Sequence, residues 1–182
     1  STSINPVESI TFPEYEDITV AVLTQGKFGT DKSLLSLGIF DNKYQFIPKA
    51  NFDVGNSANH IHYNAGKIYV TVNMSHVVLV CDIKTKEVES LHTGTTGWNG
   101  PRESFVVGND LFVTTYSGDI RIFDLGTGIL KDIVQSYNGS EKIENMSSWD
   151  STSFVSTSTY DEYYSPLNTI SIWNEKDNEF IE

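Results

Sequence analysis

Apolar and polar residues alternate with a period of two along short runs of this chain, and no stretch carries a persuasive 3.6-residue apolar period. The alternation itself repeats. LLSLGIFD ending at Asp41, HVVLVCDI around Asp82, GDIRIFDL around Asp124 and NTISIWNE around Asn174 read alike, at spacings of 41, 42 and 50 residues. A second register agrees: KIYVTV with Tyr69, DLFVTT with Phe112 and TSFVST with Phe154 lie 43 and 42 residues apart. In the first unit ITVAVL at 18–23 takes this role less closely. Two registers sharing one period indicate a structural repeat.

Each unit predicts four short strands. In the second unit they fall near His60–Tyr63, Lys67–Val72, Val77–Cys81 and Glu87–Leu91. In the third they fall near Ser104–Val107, Leu111–Thr115, Asp119–Phe123 and Leu130–Val134. Asn64-Ala65-Gly66, Asn73-Met74-Ser75, Gly108-Asn109 and Ser117-Gly118 supply the turns between them. Asp82 and Asp124 close the third strand, where a short carboxylate accepts backbone N–H groups and fixes the next hairpin. Val78 and Val80, Ile120 and Ile122, and Ile170 and Ile172 share one face of their strands, with Cys81, Phe123 and Trp173 on the other. Strands apolar on both faces belong to sheets packed between neighbours. The expected fold is an all-β propeller of about four blades, each of four antiparallel strands, spanning roughly 9–48, 59–92, 103–135 and 144–182.

These units resemble known repeats. GDIRIFDLGTG (118–128) is similar to the third strand and turn of a WD repeat, and Trp173-Asn174 stands where such repeats carry Trp-Asp. The Gly-His dipeptide of that family is missing. Tyr69-Val70-Thr71-Val72-Asn73, and Gly100-Pro101-Arg102-Glu103 leading into SFVVGNDLFVT, resemble the YVTN-type repeats of surface-layer propellers. The resemblance covers nearly the whole chain and implies an interaction or scaffold module, often exported. It therefore leans towards an extracytoplasmic or cell-surface location.

Four units make a small ring, and no leftover strand is seen that would lock the last blade to the first. A four-bladed ring, a piece of a larger ring, and an arc completed by a homo- or hetero-oligomer are the alternatives. A free open arc would leave flat apolar blade faces uncovered, so completion by a partner or a larger ring is expected ahead of it.

Composition narrows the function. Asp and Glu outnumber Lys and Arg by 24 to 12, so a nucleic-acid backbone would meet a repulsive field and no nucleic-acid partner is expected. No apolar run is long enough for a membrane span. Cys81 is the one cysteine, which excludes an internal disulfide and any multi-cysteine metal site. It sits in an apolar strand, where its pKa should rise rather than fall. The chain begins at Ser1 rather than Met, so removal of a leader, a tag or an upstream segment is expected.

In a propeller the loops between second and third strands, and those between blades, emerge on one face. Here that face would present Phe28, His76, Trp98, Arg102, Tyr116, Tyr137, Tyr160, Tyr163 and Tyr164. Aromatics clustered with Asn and Arg suit a protein or glycan partner. Phe28, His76, Trp98, Arg102, Tyr116, Tyr160, Tyr163 and Tyr164 are the candidate ligand-binding residues. STSTYDEYYSPLN (156–168) is the longest irregular insertion, but Asp161 and Glu162 lack a calcium-loop pattern. His60 and His62 point to one side of an inner strand; with no third ligand apparent, a channel-lining pair bonded to backbone or water is expected rather than a metal site. No Gly-x-Ser-x-Gly occurs, and Gly26-Lys27-Phe28-Gly29-Thr30 lacks the remainder of a phosphate loop. No catalytic residue, metal or cofactor is assigned. The leading expectation is a non-enzymatic binding or scaffold module. The alternatives are a structural subunit of a cell-surface or virion assembly, and a lyase or hydrolase using His60, His62, Arg102 and glutamates at a central pocket.

Overall fold

A computed structural model describes residues 5–27, 30–95, 97–135, 142–149, 152–160, 163, 166–174 and 179–181. The described strands form four antiparallel meanders, each following chain order. The first sheet holds β1 (Pro6–Tyr15), β2 (Ile18–Thr24), β3 (Lys32–Phe40) and β4 (Phe46–Asn56). The second holds β5 (Ala58–Asn64), β6 (Lys67–Val72), β7 (Val77–Asp82) and β8 (Val88–His92). The third holds β9 (Pro101–Val107), β10 (Asp110–Thr115), β11 (Ile120–Asp124) and β12 (Leu130–Val134). The fourth holds β13 (Lys142–Trp149), β14 (Thr152–Tyr160), β15 (Pro166–Asn174) and β16 (Glu179–Ile181). Helical backbone among the described residues is confined to 3-10 turns at Asn73–Ser75 and Gly97–Asn99.

The turns explain why the meanders form. Ala65 and Gly66 both have positive φ, as a two-residue hairpin needs to match the right-handed strand twist. The aspartates at the ends of the third strands act as the sequence suggests. Asp41 Oδ1 accepts the N–H groups of Lys43 and Gln45, each at 2.8 Å. Asp82 Oδ1 accepts those of Lys84 and Thr85, also at 2.8 Å. Asp124 Oδ1 takes the Thr127 N–H at 2.8 Å and its hydroxyl at 2.9 Å. These bonds favour the ionised carboxylates and hold Asp82 and Asp124 below their ordinary pKa.

The sheets pack in series through their inner strands: β1 on β5, β5 on β9 and β9 on β13. Leu23, Leu35 and Leu37 of the first sheet meet Ile61, Ile68, Val70 and Cys81 of the second. Tyr69, Val78 and Val80 of the second meet Leu111, Val113 and Phe123 of the third. Phe112, Ile120 and Ile122 of the third meet Ile143 and Met146 of the fourth. Among the described residues, the fourth sheet shows no comparable packing against the first. The outward face of the first sheet mixes exposed Ser9, Thr11, Asn51 and Asp53 with Val22, Leu34 and Phe40 of β2 and β3. Phe46 folds over Gly38 on this face and meets Phe40 edge-on, with centroids 5.9 Å apart. A Cβ at Gly38 would lie 2.1 Å from the Ile47 carbonyl oxygen, so only glycine fits there. On the fourth sheet Ile170 is 78% exposed.

Candidate functional site

The site is built on the connection between the second and third sheets. This connection leaves β8 at His92 and enters β9 at Pro101. Its first residue, Thr93, is buried and bonded on three sides. Its N–H donates to the His76 carbonyl at 2.8 Å, its hydroxyl donates to the Asn99 carbonyl at 2.7 Å, and its carbonyl accepts from Arg121 Nη1. Further along, the Gly100 carbonyl accepts the Tyr116 N–H at 3.0 Å. The Arg102 carbonyl accepts from Asn59 Nδ2 at 2.6 Å and Thr71 Oγ1 at 3.2 Å. Gly100 lies so close to Asn73 that an added Cβ would stand 1.9 Å from Asn73 Oδ1 and 2.8 Å from the Asn73 carbonyl oxygen. The loop is thus fastened to the Asn73–His76 turn below it and to the Thr115–Gly118 turn beside it.

Arg121 and Asp119 anchor this arrangement from beneath. Both side chains are almost completely buried, with Arg121 Nε 3.2 Å from Asp119 Oδ1. Asp119 also accepts the hydroxyls of Thr115 at 2.6 Å and Ser117 at 2.9 Å. A buried ion pair holds only when its remaining donors and acceptors are satisfied, and here they are spent on the turns that carry the loop face.

On this base the loops hold large side chains at the surface. Trp98 is 69% exposed and Met74 54%. The Arg102 guanidinium carbon stands 5.0 Å from the centre of the Tyr116 ring, a cation–π contact that orders both side chains. His76 closes the Asn73–Ser75 turn in the left-handed conformation. The structure therefore gathers four of the residues singled out from the sequence: His76, Trp98, Arg102 and Tyr116. Tyr163 is 79% exposed on the β14–β15 connection, one blade further round. Phe28, Tyr137 and Tyr164, and the side chain of Tyr160, lie outside the described residues.

Sequence reasoning missed Met74, Asn73 and the Asp119–Arg121 pair. The pair had a signal. Asp119, just before β11, and Arg121 within it sit two residues apart among Ile120, Ile122 and Phe123, so they share one face and can compensate each other's burial.

A second polar cluster lines the inner strands. His60 Nδ1 lies 3.0 Å from Glu8 Oε2, and His60 Nε2 lies 3.1 Å from the Ser104 carbonyl oxygen. The Ile61 N–H donates to the same Glu8 oxygen at 2.6 Å. His62 Nε2 accepts the Val106 N–H at 3.2 Å. The histidine pair is thus bonded to backbone, as the sequence suggests. Burial alone would lower the His60 pKa, but the Glu8 hydrogen bond and the charges of Glu8 and Glu103 outweigh it and raise the value. Burial, helped by the His60 charge, pushes His62 down to about 4. Burial also raises Glu103, against the pull of His60, the Met146 N–H and Arg102. Among the described residues no three His, Cys, Asp or Glu side chains are grouped to hold a metal. Burial pushes the Cys81 thiol up to about 12, leaving it protonated and inert.

No protein-family model matches the chain. No curated protein matches it either. Solved structures do. The extracellular domain of a one-component system from B. thetaiotaomicron is 16% identical, with a TM-score of 0.67 over 94% of this chain and 23% of its own. The WD40 domain of Toxoplasma gondii coronin is 13% identical, with a TM-score of 0.64 over 97% of this chain and 47% of its own. BamB from Moraxella catarrhalis is 9% identical, with a TM-score of 0.64 over 97% of this chain and 52% of its own. The fold is that of a β-propeller. The chain spans about a quarter to a half of the length of these proteins. Among the described residues, no helix is long and apolar enough to cross a membrane.

Proposed function

We propose that this chain is a non-enzymatic binding module that recognises a protein or glycan partner through the loop face over its second and third blades. The observation that carries the reading is the contrast between a fastened loop and its exposed tip. Thr93, Asn99, Gly100 and Arg102 are tied down by hydrogen bonds or tight packing, yet Trp98 between them stands 69% exposed. A rigid loop pays little ordering entropy on binding, and tryptophan and arginine are the side chains that most often dominate binding energy. Met74 widens the apolar patch, and the Arg102–Tyr116 contact supplies an oriented cation beside it. The extracellular neighbour supports an extracytoplasmic setting for such a module.

The test is affinity capture and glycan-array binding with the wild-type chain and the Trp98→Ala and Arg102→Ala variants. Trp98→Ala should weaken any partner bound here by 30-fold or more, on the order of 2 kcal/mol. Its unfolding midpoint should stay close to wild type, because an exposed ring contributes little to the fold. Equal binding by both variants to every captured partner would discard the loop face.

A further inference from the structure

We propose that His62 is an acid-labile stitch between the second and third blades, joining them while its imidazole is neutral and parting from β9 when it takes a proton. The geometry assigns this role. The inner strand of a blade has one edge that its own sheet leaves unpaired, and its N–H groups need acceptors from elsewhere. Side chains of the preceding blade serve these groups. Glu8 accepts the Ile61 N–H across the first seam and His62 accepts the Val106 N–H across the second, while at the third the Met146 backbone pulls the Glu103 pKa down. Only the middle seam uses a group that loses its acceptor on protonation. A carboxyl group still offers an oxygen lone pair when protonated, whereas an imidazolium has none.

The neighbouring His60 has the opposite requirement. Both of its ring nitrogens face oxygens, those of Glu8 and of the Ser104 carbonyl, so its charged form satisfies both contacts. The groups facing the pair are Glu8 from β1, the Tyr69 ring on β6 at 6.2 Å from His62, and Glu103 from β9, itself drawn by Arg102. Burial raises the Tyr69 phenol, so it stays neutral throughout the acid range. A charged His60 beside His62 further disfavours a second proton.

The signs of the two titrations differ. His62 falls from an ordinary 6.5 to about 4 in the folded chain. As pH drops below 6.5 the unfolded chain takes up a proton that folded His62 refuses, so stability is lost progressively until about pH 4. The loss from this group alone approaches roughly 300-fold in the folding equilibrium. His60, raised in the fold, contributes stability that is present below 6.5 and disappears as pH rises through its folded value. The seam is thus best held in weakly acidic to neutral solution. Because Asn59 and Thr71 of the second blade hold the Arg102 carbonyl across the same seam, acid also loosens the base of the Trp98 loop.

Amide exchange and 15N shifts of the histidine rings, followed between pH 7 and 4, test this without any knowledge of the partner. In the wild type, His62 Nε2 should be unprotonated at pH 7. The protection of the Val106 amide, corrected for intrinsic exchange and compared with Val113 in the middle of β10, should fall at least tenfold as His62 protonates. His62→Gln keeps an oxygen acceptor and removes the titration, so its Val106 amide should stay protected to pH 4. His62→Leu should expose that amide at every pH; should this variant not fold, the wild type and His62→Gln decide. An Nε2 proton at pH 7, Val106 protection that tracks Val113 throughout, or the same acid loss in His62→Gln would each overturn the proposal.

Discussion

The seam between the first and second blades and the seam between the second and third are built differently. The first is dry. Leu23, Leu35, Leu37, Val54, Ile61, Ile68, Val70 and Ile83 are completely or almost completely buried there, and Phe12 stacks on Tyr63 with centroids 4.2 Å apart. The second has a smaller apolar layer of Tyr69, Val78, Val80, Leu91, Leu111, Val113 and Phe123. Around that layer it buries Thr71, Thr93, Ser104, Thr115, Asp119 and Arg121. Ser104 Oγ is buried with no hydrogen-bond partner among the described residues. Apolar contact is non-directional and stabilises in proportion to area. Polar bonds contribute less net stability but fix positions. The first seam is therefore built for cohesion, and the second trades cohesion for holding loops at set positions.

The largest expected effect breaks the second seam. Asp119→Ala would leave the buried Arg121 guanidinium without its carboxylate and strip the hydroxyls of Thr115 and Ser117 of their acceptor. An uncompensated buried charge should cost about 3–5 kcal/mol. Chemical unfolding would measure it. Replacing both partners with Leu should recover most of the loss, since the charge and its counter-charge then leave together. The doubly substituted chain should still bind its partner poorly, because the bond from Arg121 to the Thr93 carbonyl is gone. Full stability with full binding would show that the pair is not what positions the loop.

A somewhat smaller effect separates the two seams from the other side. Leu37 has no solvent exposure in the dry layer. Leu37→Ala should cost about 3 kcal/mol through lost burial and the cavity left behind. Binding at the loop face should survive at temperatures where the variant stays folded, because Asn59, Thr71, His76, Tyr116 and Arg121, which fasten the Trp98 loop, lie outside that layer. Loss of binding in step with stability would mean that the blades act as one cooperative unit and that the contrast between seams has no functional content.

The first seam was more legible in the sequence than the second. A dry layer needs only the alternation of Val, Ile, Leu and Phe, which is what a two-residue period displays. Val78 and Val80 do face the third blade while Cys81 faces the first, as their alternation implies. Strands β6, β7, β10 and β12 fall within a residue or two of where the pattern puts them. The seam bonds were not legible in the same way. Glu8 and His60 are 52 positions apart in the chain, and nothing in either neighbourhood marks the other. Trp98 and Tyr116 were recognisable as loop residues; Arg102, read as the end of the Trp98 loop, is the second residue of β9. What fastens them was not recognisable, because it depends on which backbone carbonyls of the loop meet Asn59, Thr71 and Arg121 in space.

The smallest expected effect on stability sharpens the comparison most. Gly100 is a loop residue, but an added methyl group would collide with both the side chain and the backbone carbonyl of Asn73. Gly100→Ala should cost about 1–2 kcal/mol, the size of a modest overpacking defect. Were the second seam chiefly a source of cohesion, binding would weaken no more than stability does. Because the seam positions the loop, partner affinity should fall by much more than the unfolding free energy predicts, measured at a temperature where the variant is fully folded. Shortening the opposing side chain with Asn73→Gly should restore part of that affinity and not all of it. The Asn73 carbonyl, 2.8 Å from the new carbon, remains in the way whatever side chain stands at that position.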